Sequence, residues 1–174
     1  MDYRERISFA KNSLKKYDEF NGFKYDPYIG FFSLWIGLNA IYAYRQDIKT
    51  AERKKIKKLF DESRALETID KEAMIKLIHI IEDADEHPIL SDYFDSNLKD
   101  LKNFYKGRGY YVGDLLNEQL GSLLAKIRNN LFHGLKGWNK EGELRLVKAA
   151  NTVLYQVLRY FVSKGEKVLE NSLF

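Results

Sequence analysis

Arg128, Asn129 and His133 stand together near the end of a leucine-rich stretch, in the run Arg-Asn-Asn-Leu-Phe-His. These residue types can do chemistry. A guanidinium stays charged at any physiological pH and can grip two phosphate oxygens in a forked contact. An imidazole titrates near neutrality and suits proton transfer. An amide beside the arginine can hold it in place. A structural use is equally open to the same residues, because cations near a helix C-terminus interact favourably with the helix dipole.

The stretch that positions them, residues 115–135, reads as one long amphipathic helix. Leu116, Leu120, Leu123, Leu124, Ile127 and Leu131 recur at three- and four-residue spacing and define a core-facing stripe. Gly134 supplies a stop. At about 100° per residue, Asn129 and Phe132 point away from the stripe, and Arg128 and His133 flank them. One turn earlier that side carries Gly121, Ser122 and Ala125 rather than the Lys and Glu of an ordinary surface helix. The spacing predicts a second packing face, made of small residues, with a polar pocket at its end.

The remaining chain reads as helices joined by short connections. Residues 3–20 place Ile7, Ala10, Leu14 and Tyr17 on one face, and Asn21-Gly22 breaks the pattern. Asp26-Pro27 is a helix start, since Asp accepts from free backbone amides and Pro suits the first helical position. The helix that follows, to about Arg45, is apolar on most sides and is expected to be the most buried. Asn39 lies within it. A buried amide needs partners, so Asn39 is expected to bond a neighbouring helix or, alternatively, to face the polar pocket. Residues 50–63 form a basic helix, which reads first as a solvated face and second as a phosphate-contacting surface. Asp70 caps a helix through Ile81 in which His79 sits at the core or its edge. The acidic run that follows, carrying His87, has no recognised metal-ligand spacing. A short helix is expected over 96–105. The segment 106–114 is a loop with Arg108, Tyr110 and Tyr111, and it lacks the P-loop pattern. The last helix spans about 143–169. These elements predict an all-α fold: a single-domain helical bundle over 1–174, with a four-helix core plus extra helices.

Composition agrees with a globular chain. The 174 residues are 45% hydrophobic and 31% charged, and cysteine is absent, which excludes disulfides, thiolate metal sites and thiol nucleophiles. The apolar segment 28–44 is interrupted by Ser33, Asn39 and tyrosines, so it reads as a buried helix rather than a membrane span. No leader pattern opens the chain, and a cytoplasmic location is expected. The net charge of +4 mildly favours an anionic partner but by itself fits an ordinary lysine-rich protein.

The run Arg128 to Gly134 resembles the R-x4-H catalytic motif of the HEPN superfamily (higher-eukaryote and prokaryote nucleotide-binding helical domains). Residues 31–42, Phe-Phe-Ser-Leu-Trp-Ile-Gly-Leu-Asn-Ala-Ile-Tyr, also resemble the aromatic-rich helix of bacterial members near the Apea-like group. The resemblance implies metal-independent RNA cleavage in a cleft shared by two subunits, with no cofactor. It casts His133 as general acid or base, Arg128 as phosphate clamp and Asn129 as positioning amide. The products would be a 2′,3′-cyclic phosphate, or a 3′-phosphate, and a 5′-hydroxyl. Lys54, Lys55, Lys58, Arg108, Lys126 and Lys136 are the expected RNA contacts. Gly121, Ser122, Ala125 and Phe132 are the expected dimer face. A toxin–antitoxin or defence setting, with a partner protein, follows by analogy. Some bacterial members carry a tyrosine two residues after the histidine that a partner enzyme modifies. This chain has Leu135 there, so that mode of neutralisation is not carried over. Two alternatives stay open: a non-catalytic HEPN-like module binding RNA, a nucleotide or a protein, and a plain helical interaction protein.

Overall fold

The computed structural model describes residues 1–43, 52–61, 63–83, 88–107, 113–133 and 141–171, less the side chains of 52–54, 61, 88, 89, 96, 113, 114, 132 and 133. Eight helices occupy the described residues: α1 (Tyr3–Glu19), α2 (Pro27–Tyr42), α3 (Glu52–Asp61), α4 (Lys71–Ile81), α5 (Pro88–Asn97), α6 (Lys99–Tyr105), α7 (Gly113–His133) and α8 (Glu141–Asn171). Short 3-10 turns lie at Asn21–Phe23 and Ala65–Thr68, and the described residues include no strand. The fold is all-α.

Local chemistry sets the helix starts. Asp2 and Glu5 form a reciprocal capping box: Glu5 N–H donates to Asp2 Oδ1 at 2.8 Å and Asp2 N–H to Glu5 Oε2 at 2.7 Å. Asp26 accepts from Ile29 N–H at 3.2 Å with Pro27 in the first helical position, and Asp70 accepts from Ala73 N–H at 2.8 Å. Between α1 and α2 the chain turns through three left-handed residues, Asn21, Gly22 and Phe23.

The 31-residue α8 is the spine. α1 and α2 pack on each other and both pack on α8, α4 lies on α8, and α7 packs mainly on α3. Gly37 makes the α1–α2–α8 junction possible: a Cβ there would stand 2.9 Å from both Ser13 and Leu158. Apolar side chains of all eight helices join one buried cluster, including Phe31, Phe60, Phe94, Leu101, Leu123 and Leu154.

Three expectations are corrected. Asn39 is exposed, not buried. α2 turns its glycine side to α1 and α8, so the side bearing Ile29 and Ile36, each 51% exposed, faces outward and takes Asn39 with it. The buried amides are instead Asn117, Gln119 and Asn151. The helix expected over 96–105 is two helices broken at Leu98, whose backbone leaves helical geometry. His79 is exposed near the end of α4, outside the core.

Buried amides finish what local sequence leaves undone. Leu98 has no side-chain oxygen to cap α6, and Gln119 of α7 supplies one, accepting from Leu101 N–H at 2.8 Å. Asn117 accepts from Leu66 N–H at 3.0 Å and anchors the Ala65–Thr68 turn. Asn151 donates to the Pro27 carbonyl at 2.8 Å, tying α8 to the start of α2. Glu82, first of the acidic run, lies 2.7 Å from both Lys102 and Lys106, which fastens the end of α4 to α6.

Candidate functional site

The leucine stripe of α7 is buried as its spacing requires: Leu116, Leu120, Leu123, Leu124 and Ile127 are fully enclosed and Leu131 nearly so. The polar side of the helix divides into two halves. The first half is closed by the chain itself. Gly121 is buried, and a Cβ there would lie 2.9 Å from Phe60 of α3. The small-residue face therefore admits α3 of the same chain, and Gly121 is not open to a second copy. Ser122 and Ala125 do not form an outward face either; they line a cavity between α7, α3 and α5. The Phe132 side chain lies outside the description.

That cavity, about 230 Å³, is lined by Ile56, Tyr93, Ser122, Ala125, Lys126, Arg128 and Asn129. Arg128, Asn129 and Lys126, singled out in the sequence, thus share one pocket wall. Arg128 is half-buried. Its guanidinium lies over the Trp35 ring, 5.2 Å from the centroid, and its Nη1 donates to Asn129 Oδ1 at 2.8 Å. A cation over an indole face is held by the ring quadrupole, and the amide fixes the plane of the fork. Lys126 Nζ stands over the Tyr93 ring at 5.1 Å. Two cations are thereby presented to one cavity, each oriented by an aromatic ring. An anion entering there would meet both.

The other expected contacts distribute differently. Lys58 is exposed and Lys55 half-buried on α3, and neither lines the cavity. Their neighbour Lys57 pairs with Glu118 of α7 at 2.6 Å, so the basic helix is partly tied down by its own scaffold. α7 continues through His133, but the His133 side chain, like Lys54, Arg108, Tyr110, Tyr111, His87, Leu135 and Lys136, lies outside the description. Among the described residues no group of three or more His, Asp or Glu side chains is placed to hold a metal ion, and no helix is long and apolar enough to cross a membrane.

Three contributors carry no signal in the sequence around the motif: Ile56, which is also part of the core, Tyr93 and Trp35. All reach the site across long sequence separations, from α3, α5 and α2, and no local spacing announces such contacts. No family model, curated protein or solved structure matches this chain.

Proposed function

We propose that this chain is a metal-independent endoribonuclease of HEPN type that cleaves RNA by attack of the 2′-hydroxyl. One observation carries the reading: Arg128, braced by Trp35 and Asn129, and Lys126, braced by Tyr93, face one cavity at the end of the helix that bears the R-x4-H run. A site that stabilises a phosphorane needs fixed cations aimed where charge develops. At about 230 Å³ the cavity is smaller than the roughly 300–1,000 Å³ of typical small-molecule pockets, and suits a sugar–phosphate unit. In this mechanism Arg128 clamps the non-bridging oxygens and Asn129 holds its plane. His133 moves a proton to or from the reacting oxygens. The 2′-oxygen bonds to phosphorus as the 5′-oxygen leaves, giving a cyclic phosphate and a 5′-hydroxyl. A toxin or defence role with a neutralising partner protein remains part of the same proposal.

Two copies would contribute two motifs. Since α3 covers the small face of α7, the second copy is assigned to the outward stripe of α2, where Ile29, Phe32, Ile36 and Ala40 follow helical spacing. α2 carries no charged residue from Pro27 to Tyr42, so a self-paired contact there brings no like charges together. α2 also carries, on its buried side, Trp35, the ring over which Arg128 lies.

The test is cleavage of end-labelled mixed-sequence RNA in EDTA. Wild type is compared with Arg128→Ala, His133→Ala and Ile36→Asp, each checked by circular dichroism and sedimentation. Cleavage by wild type with cyclic-phosphate ends, lost in the first two variants, is the expected result. Ile36→Asp is expected to be monomeric and inactive. Intact RNA with folded wild type at high concentration overturns the catalytic reading.

A further inference from the structure

A second, larger cavity of about 790 Å³ opens on another side of the molecule, between the C-terminal half of α8 and the corner where the Ala65–Thr68 turn enters α4. It shares no lining residue with the cavity beside Arg128. One wall is a single stripe of α8, in which Gln156, Arg159, Tyr160, Ser163, Lys164 and Lys167 follow at helical spacing. The other wall is Thr68, Ile69 and Asp70.

The walls are fastened to each other, so the groove is preformed. Asp70 N–H donates to Gln156 Oε1 at 2.7 Å, and Arg64 N–H donates to the Tyr160 hydroxyl oxygen at 2.9 Å. Three cations line the groove against one carboxylate. That carboxylate, Asp70, accepts from Ala73 N–H as the cap of α4. Glu67, Glu72 and Glu170 are exposed and lie outside the lining. Arg159 and Lys167 form no ion pair among the described residues. Arg159 and Lys167, two turns apart on one helix face, thus both border this space with no ion-pair partner of their own among those residues.

We infer that this groove binds the phosphate of a nucleotide, either free or within an RNA strand. Its volume falls within the roughly 300–1,000 Å³ of small-ligand sites, which is far more than an inorganic ion fills. Arg159 offers a forked donor set for phosphate oxygens, Lys167 a compact charge, and Ser163 and Thr68 hydroxyls that can accept or donate to a ribose. The inference does not depend on cleavage at Arg128.

The test measures binding of two probes to the full chain: ATP by calorimetry, and a labelled 2′-O-methyl RNA 12-mer, which cannot be cleaved by 2′-attack, by anisotropy. Wild type is compared with Arg159→Gln/Lys167→Gln, each also in an Arg128→Ala background. Both sites of the double variant are exposed, and its helical circular dichroism is expected to match wild type. The expected result is that the double variant weakens binding at least about tenfold for one probe, and does so equally in an Arg128→Ala background, where the other cavity's clamp is gone. For the RNA it should also lower the slope of log affinity against log salt by about 1.4, two phosphates' worth. ATP binding without RNA binding assigns the groove to a free nucleotide, and the reverse assigns it to a strand. Failure of both probes to bind at millimolar concentration, or equal binding by wild type and the folded double variant, overturns the inference. Absence of RNA cleavage would overturn the nuclease reading alone.

Discussion

The two halves of α7 use polar residues in opposite ways. In the first half, Asn117 and Gln119 are buried and each accepts from a backbone N–H on another element, Leu66 and Leu101. Their hydrogen-bonding capacity is spent on the fold. In the second half, Lys126, Arg128 and Asn129 engage aromatic faces and each other, and they border a cavity. An amide that satisfies a backbone donor is removed from chemistry. A guanidinium braced by a ring and a neighbouring amide is pre-positioned for an anion. Position along one helix, rather than residue type, separates scaffold from candidate site.

Substitutions at the two ends should therefore separate stability from activity. Gly121→Val should have the largest effect on folding, since its side chain must displace Phe60; a loss of about 3 kcal/mol in urea unfolding is expected. Arg128→Lys should do the reverse. It keeps the charge but loses the fork, so RNA cleavage should fall about 100-fold, equivalent to about 2.7 kcal/mol, with unfolding changed by less than about 1 kcal/mol. If Arg128→Lys destabilises as much as Gly121→Val, the distinction between the halves collapses. Asn117→Leu should cost about 2 kcal/mol by leaving Leu66 N–H buried without its acceptor. Cleavage by the fraction that remains folded should be unaltered.

The smallest effect is a purely structural control that uses no residue lining either cavity. Burial pushes the Glu82 carboxyl up, but hydrogen bonds from Lys102 and Lys106 outweigh it and hold the group below the usual carboxylate range. A depressed carboxyl stabilises the fold above its unfolded value, and that stabilisation is lost as pH falls through the lower folded value. Glu82→Gln should cost about 1 kcal/mol at neutral pH. The difference from wild type should vanish in acid below the carboxylate range, as followed by thermal unfolding across pH.

Much of the fold was legible because its signals are local. The α7 leucines, the Asp26-Pro27 start and the Asp70 cap each act within one turn of chain. The corrected features depend on partners far away. α2 is apolar on nearly every side, so periodicity cannot say which side faces out, and Asn39 was assigned to the wrong environment. Gly121 announces that a backbone or ring comes close, yet nothing in its own stretch says that the visitor is Phe60 of the same chain. The break at Leu98 is stabilised by Gln119, a residue on a different helix. At the site, the Arg-Asn pair was legible as chemistry, whereas Trp35 and Tyr93, which aim the cations, reach it only through the tertiary fold.

The spine has a consequence for how the molecule is made. α2 rests on α1 and α8, and α7 rests on α3. Near the far end of α8, a Cβ on Gly165 would run into Ile7, and Glu166 reaches back to Lys11 across 155 positions of chain. Hairpins such as α1–α2 can form as the polypeptide leaves the ribosome, but the layers they belong to close only when residues 141–171 are free to pack. A nascent chain halted before residue 141 therefore already contains Trp35, Tyr93, Lys126, Arg128 and His133, yet lacks the element that α2 leans on while presenting Trp35 to Arg128. The packing of α2 that places Trp35 against Arg128 is therefore complete only once residues 141–171 are free to join it.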